Sequence, residues 1–444
     1  MQPSRAKAFS YRERPHFPGL VFALACVTLV TALQGCGESS PATGTRTHTT
    51  APPPLTVTAT SVTYPTAGEP FQALPTSSGE VLVSVTANGS PQSLTGVQIF
   101  TPGGGGGLQS SCVNPLSPSL LDSAALFANI RLSPNGAEVA GGIGSSGAIF
   151  YKLSALQSCT ADGIVVSQGP ASSNEGTLDV AVTPDGKFAF ISNESGIAPG
   201  ATSRGNIGVV ALQRDASGAV TTGSTLLGQI ATGGNAIAGM KLSPDGKRLY
   251  VTSEIRAPGT LASASSSQIL THGGCVQQPG SSSVNGLLTV INTATAESVP
   301  GPAAVLATVN AGCSPVRIVE TADNSTLWVA ARGDNRALAF STALLESSPD
   351  NALLGYADTG GTAPVGLTLF HNEQLLAVTN SNRFGTGVAN MTILYVANPA
   401  SATVVTTMQT GLFPREVTVG ADDATLYVTN FQSGTLEVIS TVVK

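Results

Sequence analysis

Apolar and polar side chains alternate in short runs along most of the chain, and the runs come in pairs joined by a turn. Three copies are plain: "IRLSPNGAEVAGG" from Ile130, "VAVTPDGKFAFISN" from Val180 and "MKLSPDGKRLYVTS" from Met240. Alternation with a period of two predicts a strand with one buried face. The Pro-Asp/Asn-Gly between each pair predicts a tight hairpin, because Pro presets φ at the first turn position and Gly tolerates positive φ. Copies at Ile318, Leu367 and Val417 keep the frame without the turn residues, and a degenerate copy starts at Ala73, which makes seven.

Each pair is followed by a third apolar run, such as "GNIGVVAL", "GLLTVINT" or "GTLEVIS", and then a fourth, such as "VLATVN" at Val305 or "ATVVTTM" at Ala402. Four strands per unit, repeated seven times, predict an all-β, seven-bladed β-propeller with antiparallel blades. Taking Pro134, Pro184, Pro244, Ala322, His371 and Ala421 as equivalent, the intervals are 50, 60, 78, 49 and 50 residues, and Ser/Gly-rich insertions account for the two long ones. The last unit ends soon after its third strand. An unpaired edge would remain there, so "LTVTATSV" (Leu55–Val62) is expected to supply the outer strand and close the ring. Only 10% of residues are charged and Gly numbers 50, which disfavours long helices.

"LYVTNFQSGTLEVI" resembles the repeat of the YVTN family of propellers, whose tetrapeptide stands at Tyr427–Asn430, with related forms at Tyr250 and Ala377. The same superfamily includes seven-bladed lactonases and carboxymuconate-cyclase-like proteins, and "AGCSPVRIVETADNSTLWVAARGDNRALAF" with "TNSNRF" is similar to that branch. The resemblance implies a fold strongly; its motifs describe blades and name no reaction.

The first 35 residues differ from the rest. Arg5, Lys7, Arg12 and Arg14 precede an apolar core, Leu20 to Leu33, that is short for a membrane span. "LQGC" follows and resembles the bacterial lipoprotein cleavage box, although Gln34 departs from its usual spacer. The expectation is a signal peptide over residues 1–35, lipid on Cys36, a Thr/Pro-rich linker over 36–54 and the propeller over 55–444. This places a monomeric protein in the cell envelope, facing the periplasm or the outer membrane, with the membrane as a partner through its lipid. The mature chain carries 16 basic and 25 acidic side chains, a net charge of −9, without a Lys/Arg cluster, which argues against nucleic acid. Cys112, Cys159, Cys275 and Cys313 remain for an oxidising compartment. Three pairings are open. Cys275 with Cys313 would pin the longest insertion across the upper face, and Cys112 with Cys159 would staple the second unit.

Propeller geometry then sorts the chemistry. With the innermost strand, a, running from the upper to the lower face, its start and the b–c turns surround the upper mouth. Arg317 and Arg415 begin strands a. Asn193, Glu194, Glu254, Arg256, Arg332, Asp334, Asn335, Asn380, Asn382, Arg383 and Asn430 fall at b–c turns. Of 11 mature arginines, six map to this side or its margin, the sixth being Arg336. Guanidinium groups suit carboxylates and enolate-like oxygens. Arg317, Arg332, Asn380, Asn382, Arg383, Arg415 and Asn430 are therefore the candidate ligand-binding residues. The alternative for any one of them is structural, bonding carbonyls or pairing with Asp334 or Glu254.

Two functional readings follow. One is a non-catalytic lipoprotein that binds a small anionic ligand or an envelope protein on the upper face. The other is a lactonase-like or cycloisomerase-like enzyme, with Glu254 or Glu194 as base and Arg317, Arg383 and Arg415 stabilising an oxyanion. His272 and His371 are too far apart for a metal site, and no metal or cofactor is expected. "GIGSSG" (Gly142–Gly147) links two strands where a dinucleotide site needs a strand and a helix. "GGGGG" (Gly103–Gly107) reads as a loop.

Overall fold

Each Pro-Asp/Asn-Gly segment does close a hairpin, and the same hydrogen bonds recur. In the computed structural model, Asp185 Oδ1 accepts from the Lys187 N–H (3.0 Å) and the Thr183 hydroxyl (2.7 Å). Asp245 serves Lys247 and Ser243 at the same distances, and Asn135 serves Ala137 and Ser133. Gly136, Gly186 and Gly246 follow with φ near 70°, the left-handed region where a Cβ would be strained. Where glycine is lost, Asn324 takes that conformation (φ 58°), as asparagine readily does.

The structure describes residues 55–90, 93–117, 126–144, 147–166, 176–194, 205–257, 259–260, 286–383, 385 and 388–444. Among them are seven four-stranded sheets, all antiparallel, each a blade with strands a to d in chain order except the last, whose strand d comes from the N-terminal side. The innermost strands of blades 1 to 7 are Glu69–Pro75, Phe127–Leu132, Val180–Val182, Gly234–Leu242, Pro315–Glu320, Pro364–Phe370 and Pro414–Val419. Hydrophobic clusters fill the spaces between blades: Tyr250, Leu288 and Val290 of blade 4 pack on Leu327, Val329 and Phe340 of blade 5. Short helices that the alternation did not predict, Leu153–Gln157, Thr293–Ser298 and Thr342–Ser347, connect strands c and d in three blades. Asn292 and Ser341 cap the latter two through their side chains.

The ring closes as expected. Val57–Pro65 pairs antiparallel with Thr435–Val443 over nine residue pairs, from Val57↔Val443 to Pro65↔Thr435. Tyr64 continues into blade 1, where its hydroxyl accepts from the Leu108 N–H at 3.0 Å and its ring meets Phe100 edge-on. The Cys112–Cys159 disulfide joins strand d of blade 1 to the helical turn of blade 2, with Cα atoms 6.2 Å apart. Cys313 is buried and disulfide-bonded; Cys275, Cys36 and His272 lie outside the described residues.

The "VT" of the repeat has a physical role in the ring. Strand a is bulged near its start in six blades, for example between Pro414 and Glu416 and between Pro315 and Ile318. A bulge leaves a backbone N–H without its ladder partner. A Ser or Thr in strand b meets that need: Thr429 accepts from Glu416 N–H (3.2 Å), Thr379 from Gly366 (2.8 Å) and Ser84 from Gln72 (3.1 Å), and Ser192 does the same for Asp179 (2.9 Å) just ahead of strand a in blade 3. Thr429 also donates to the Phe71 carbonyl of blade 1, and Thr252 to Val316 of blade 5, both at 2.8 Å. One hydroxyl thus fixes its own bulge and the neighbouring blade.

Thr429→Val keeps the shape and removes both bonds. It is expected to lower stability by about 1–3 kcal/mol, read as a shift of the urea midpoint at unchanged slope. Thr403→Val, on an exposed outer strand, is expected to change it by less than about 0.5 kcal/mol.

Candidate functional site

The bulges re-aim the first residues of strand a toward the propeller axis, and these residues carry the charge. Arg317 is 8% exposed and reaches across the axis from blade 5. It donates to the Glu416 carboxylate of blade 7, the Ala238 carbonyl of blade 4 and Asn129 Oδ1 of blade 2 (3.4 Å). Lower down, Arg131 of blade 2 forms a bidentate pair with Asp179 of blade 3 (2.7 and 2.6 Å) and donates to the Met240 carbonyl of blade 4 (2.9 Å). Two guanidinium groups therefore tie five blades together.

Above this brace, a second repeated contact sets the rim. In six blades the residue following strand b donates its N–H to a carbonyl at or shortly before the start of strand a: Gly144 to Leu126, Glu194 to Gly176, Ala257 to Gly233, Arg332 to Ser314, Ser381 to Ala363, and Phe431 to Phe413, at 2.9–3.1 Å. Three of these acceptors, Ser314, Ala363 and Phe413, have φ of 48–54°, backbone strain of a kind that clusters at ligand sites. The latch brings Glu194 and Arg332 to the rim in blades 3 and 5, whereas strand b of blade 4 runs on past Glu254 to Arg256 before its latch.

Their partners decide what each can do. Arg332 forms an ion pair with Glu254. Arg415, in the bulge of blade 7, is different. Its guanidinium carbon lies 3.8 Å from the Phe71 ring centre, 5.1 Å from Phe431 and 5.6 Å from Phe413. It has no ion pair or hydrogen bond to a described residue, and its Nε is buried without an acceptor. Burial, with Arg317 and Arg383 nearby, pushes it down to about 9, so it stays cationic at neutral pH. Arg383 also faces the Phe413 ring, its guanidinium carbon 5.8 Å from the centre. The Glu194 carboxyl likewise has no partner among the described residues. Burial and the Glu254 carboxylate push it up to about 7, against the pull of Arg415, Arg383 and Arg332. Burial also raises Glu69, which Arg415 opposes.

Of the residues expected from sequence, the structure gathers Glu194, Glu254, Arg317, Arg332, Arg383 and Arg415. Arg317 and Glu254 are engaged in ion pairs. Asn380 and Asn430 are 1% exposed; their amide nitrogens donate to Thr359, Asn390 and Thr392 and to Glu437 and Thr435, while their Oδ1 atoms are buried without a partner among the described residues. Asn382 accepts from Thr362 (2.9 Å). Asp334 and Asn335 hold the Cys313 and Ala363 N–H groups. Arg256 bonds the Thr260 carbonyl, and Arg336 pairs with Asp358. His371 lies in a lower-face turn against Asp423. Sequence reasoning missed the Phe71, Phe413 and Phe431 rings. Phe413 carried a signal, since Ser or Ala precedes the equivalent proline in "SPVRI" and "APVGL".

No protein-family model matches this chain, and no curated protein matches it in sequence. Solved structures do resemble it. A chain of a mitotic checkpoint complex superposes with a TM-score of 0.56 at 11% identity, covering 93% of this chain and 98% of that one. A chain of hydrazine synthase from Kuenenia stuttgartiensis gives 0.55 at 15% identity, covering 85% and 96%. At such identities the likeness is one of fold.

The two kinds of arginine predict opposite outcomes. Arg317→Ala leaves Glu416 buried without its partner and is expected to cost about 3–5 kcal/mol. Arg415→Gln gives up only ring contacts and is expected to cost at most about 2 kcal/mol. Urea unfolding of both variants checks the contrast.

Proposed function

We propose that the upper mouth of this propeller binds a small carboxylate. The observation that supports this is Arg415, a cation held against three aromatic rings with its hydrogen-bond donors unused by the described residues. A buried guanidinium without an acceptor is costly, and a carboxylate offers two oxygens in the plane that its fork requires. Arg383 supplies a second cation, and the rings favour a flat apolar body behind the charged end. Calorimetric titration with acetate, lactate, pyruvate and benzoate is expected to detect binding. Arg415→Gln is expected to weaken it at least tenfold, and equal affinity in that variant would refute the reading.

The propeller is further proposed to be exported and held at a membrane by lipid on Cys36. "LQGC" supports this, as does the Cys112–Cys159 disulfide, a bond that persists in oxidising compartments. Cys36→Ser is expected to move the protein from the membrane to the soluble fraction and to abolish fatty-acid labelling.

A specific observation favours a second reading, in which the site opens a lactone as the YVTN-type resemblance implies. Glu194, near neutrality, has the protonation balance of a general base, beside arginines suited to an oxyanion. Turnover of aryl or sugar-acid lactones that is lost in Glu194→Gln would support it.

A further inference from the structure

The outer strands are the exposed edges of a propeller, and in most blades that edge is blunted. Strands c and d pair with a bulge in blades 1, 3, 4, 5 and 6, and strand d of blade 2 has only three residues. Bulges and short strands both obstruct pairing with another chain. The connection between strands c and d of the following blade adds cover. It holds blade 1 through the Cys112–Cys159 disulfide and the Ala161 N–H on Asn114 (3.1 Å). It brings Val220 into one buried cluster with Val166 of blade 2, and Leu345 into another with Ala307 of blade 4. Pro300 and Pro399 lie so close to Gly228 of blade 3 and Gly355 of blade 5 that a Cβ would not fit.

Blade 7 departs on both counts. Its outer strand, Val57–Pro65, pairs with Thr435–Val443 through nine residue pairs without a bulge. Its side chains are uncharged, and residues 58–63 are exposed. The connection that would cover it, from blade 1, is the glycine loop Gly103–Gly107, which meets the strand near its end, at Tyr64. We propose that this edge pairs with the same edge of a second copy of the chain, antiparallel about a twofold axis at Thr60, in place of the monomer expected from sequence.

The backbone fixes which groups are offered. Thr56 and Lys444 exchange both backbone hydrogen bonds (3.1 and 3.0 Å). Such pairs alternate along an antiparallel ladder, so Thr58, Thr60, Val62 and Tyr64 also bond inward. Val57, Ala59, Ser61 and Thr63 therefore turn their N–H and C=O groups outward, where no described residue bonds them. An axis at Thr60 sets Val57 against Thr63 and Ala59 against Ser61 of the other copy, and every one of these groups finds a partner. Pro65, which has no N–H to offer, falls outside the paired stretch. Several features select a second copy as the occupant. The edge is complementary to its own antiparallel image, as an isologous contact requires. It sets no charge against a like charge, although the mature chain carries −9. It continues the ladder that already closes the ring, so that the two seventh blades become one sheet. The chain enters this edge through residues 36–54, a length that reaches at most about 60 Å. Two such tethers can leave paired Val57 ends that lie roughly 20 Å apart along the strands.

The test is sedimentation velocity of the full-length mature chain bearing Cys36→Ser, from about 1 to about 200 µM. The expected result is a rise from the mass of one copy to that of two across this range, as suits a contact the size of one strand. Ser61→Pro removes an outward N–H without costing a bond to Thr435–Val443 and is expected to weaken the dimer at least tenfold. Thr60→Lys sets two like charges at the axis and is expected to leave single copies, as is Thr60→Asp. Mixed in equal amounts, the Lys and Asp variants are expected to pair again. Thr60 is exposed, so the urea midpoints of both Thr60 variants are expected to match that of the parent at the lowest concentration. A single-copy mass at every concentration overturns the proposal and leaves the edge to a strand of a different protein. A dimer that survives Ser61→Pro and Thr60→Lys overturns it too, because the contact then lies elsewhere, and so does a mixture that fails to pair. Should Ser61→Pro fail to fold, the Thr60 variants and their mixture decide.

Discussion

The upper mouth exists only because the ladder between Val57–Pro65 and Thr435–Val443 closes the ring. Without it, blade 7 would end in an open edge, and Arg415 would have no fixed relation to Phe71 of blade 1. The outer closure has an inner counterpart in Thr429, whose hydroxyl bonds the Phe71 carbonyl. The same seam is therefore held at its rim by a sheet and near the axis by a single side chain. That inner bond belongs to a repeated device, in which a strand-b hydroxyl supports the bulge of strand a. Bulge and mouth are linked in this way, since the regular pairing that the bulge interrupts would turn the arginine-bearing positions away from the axis.

Much of the architecture is legible in the sequence because its causes are local. Period-two alternation, the Pro-Asp-Gly turn and the missing outer strand of the last unit each lie within a few residues, and together they specify seven blades and their closure. The arginines were legible as a group for a related reason: repeat equivalence maps chain position onto a face of the ring. Which of them are engaged was not legible. Arg317 finds Glu416 and Arg332 finds Glu254 at sequence separations of 99 and 78 residues. The aromatic wall was hidden for the opposite reason, because phenylalanine in an apolar strand looks like ordinary core. Asn380 and Asn430 show how a repeat position serves the framework, since their amide nitrogens bond Asn390 and Glu437 of their own blades.

The separation of the arginines into two classes also explains how so much charge is tolerated near the axis of a protein so poor in it. Arg131 and Arg317 are matched by carboxylates and by carbonyls from other blades. Each burial is thereby compensated, and the bonds keep those blades in register. Arg415 has no bonded counter-ion among the described residues: ring faces touch it, and Glu416 and Glu194 act on it only through space, an attraction weak beside an ion pair. Its remaining demand for an acceptor is unmet by the described residues, and that demand is what a ligand can satisfy.

Glu194 fits the same logic from the acidic side. A carboxylate could have neutralised Arg415 outright, as Glu416 neutralises Arg317, and the mouth would then hold no net attraction for an anion. Glu194 instead stands within the field of Arg415 without bonding it, and burial holds its proton at about neutral pH.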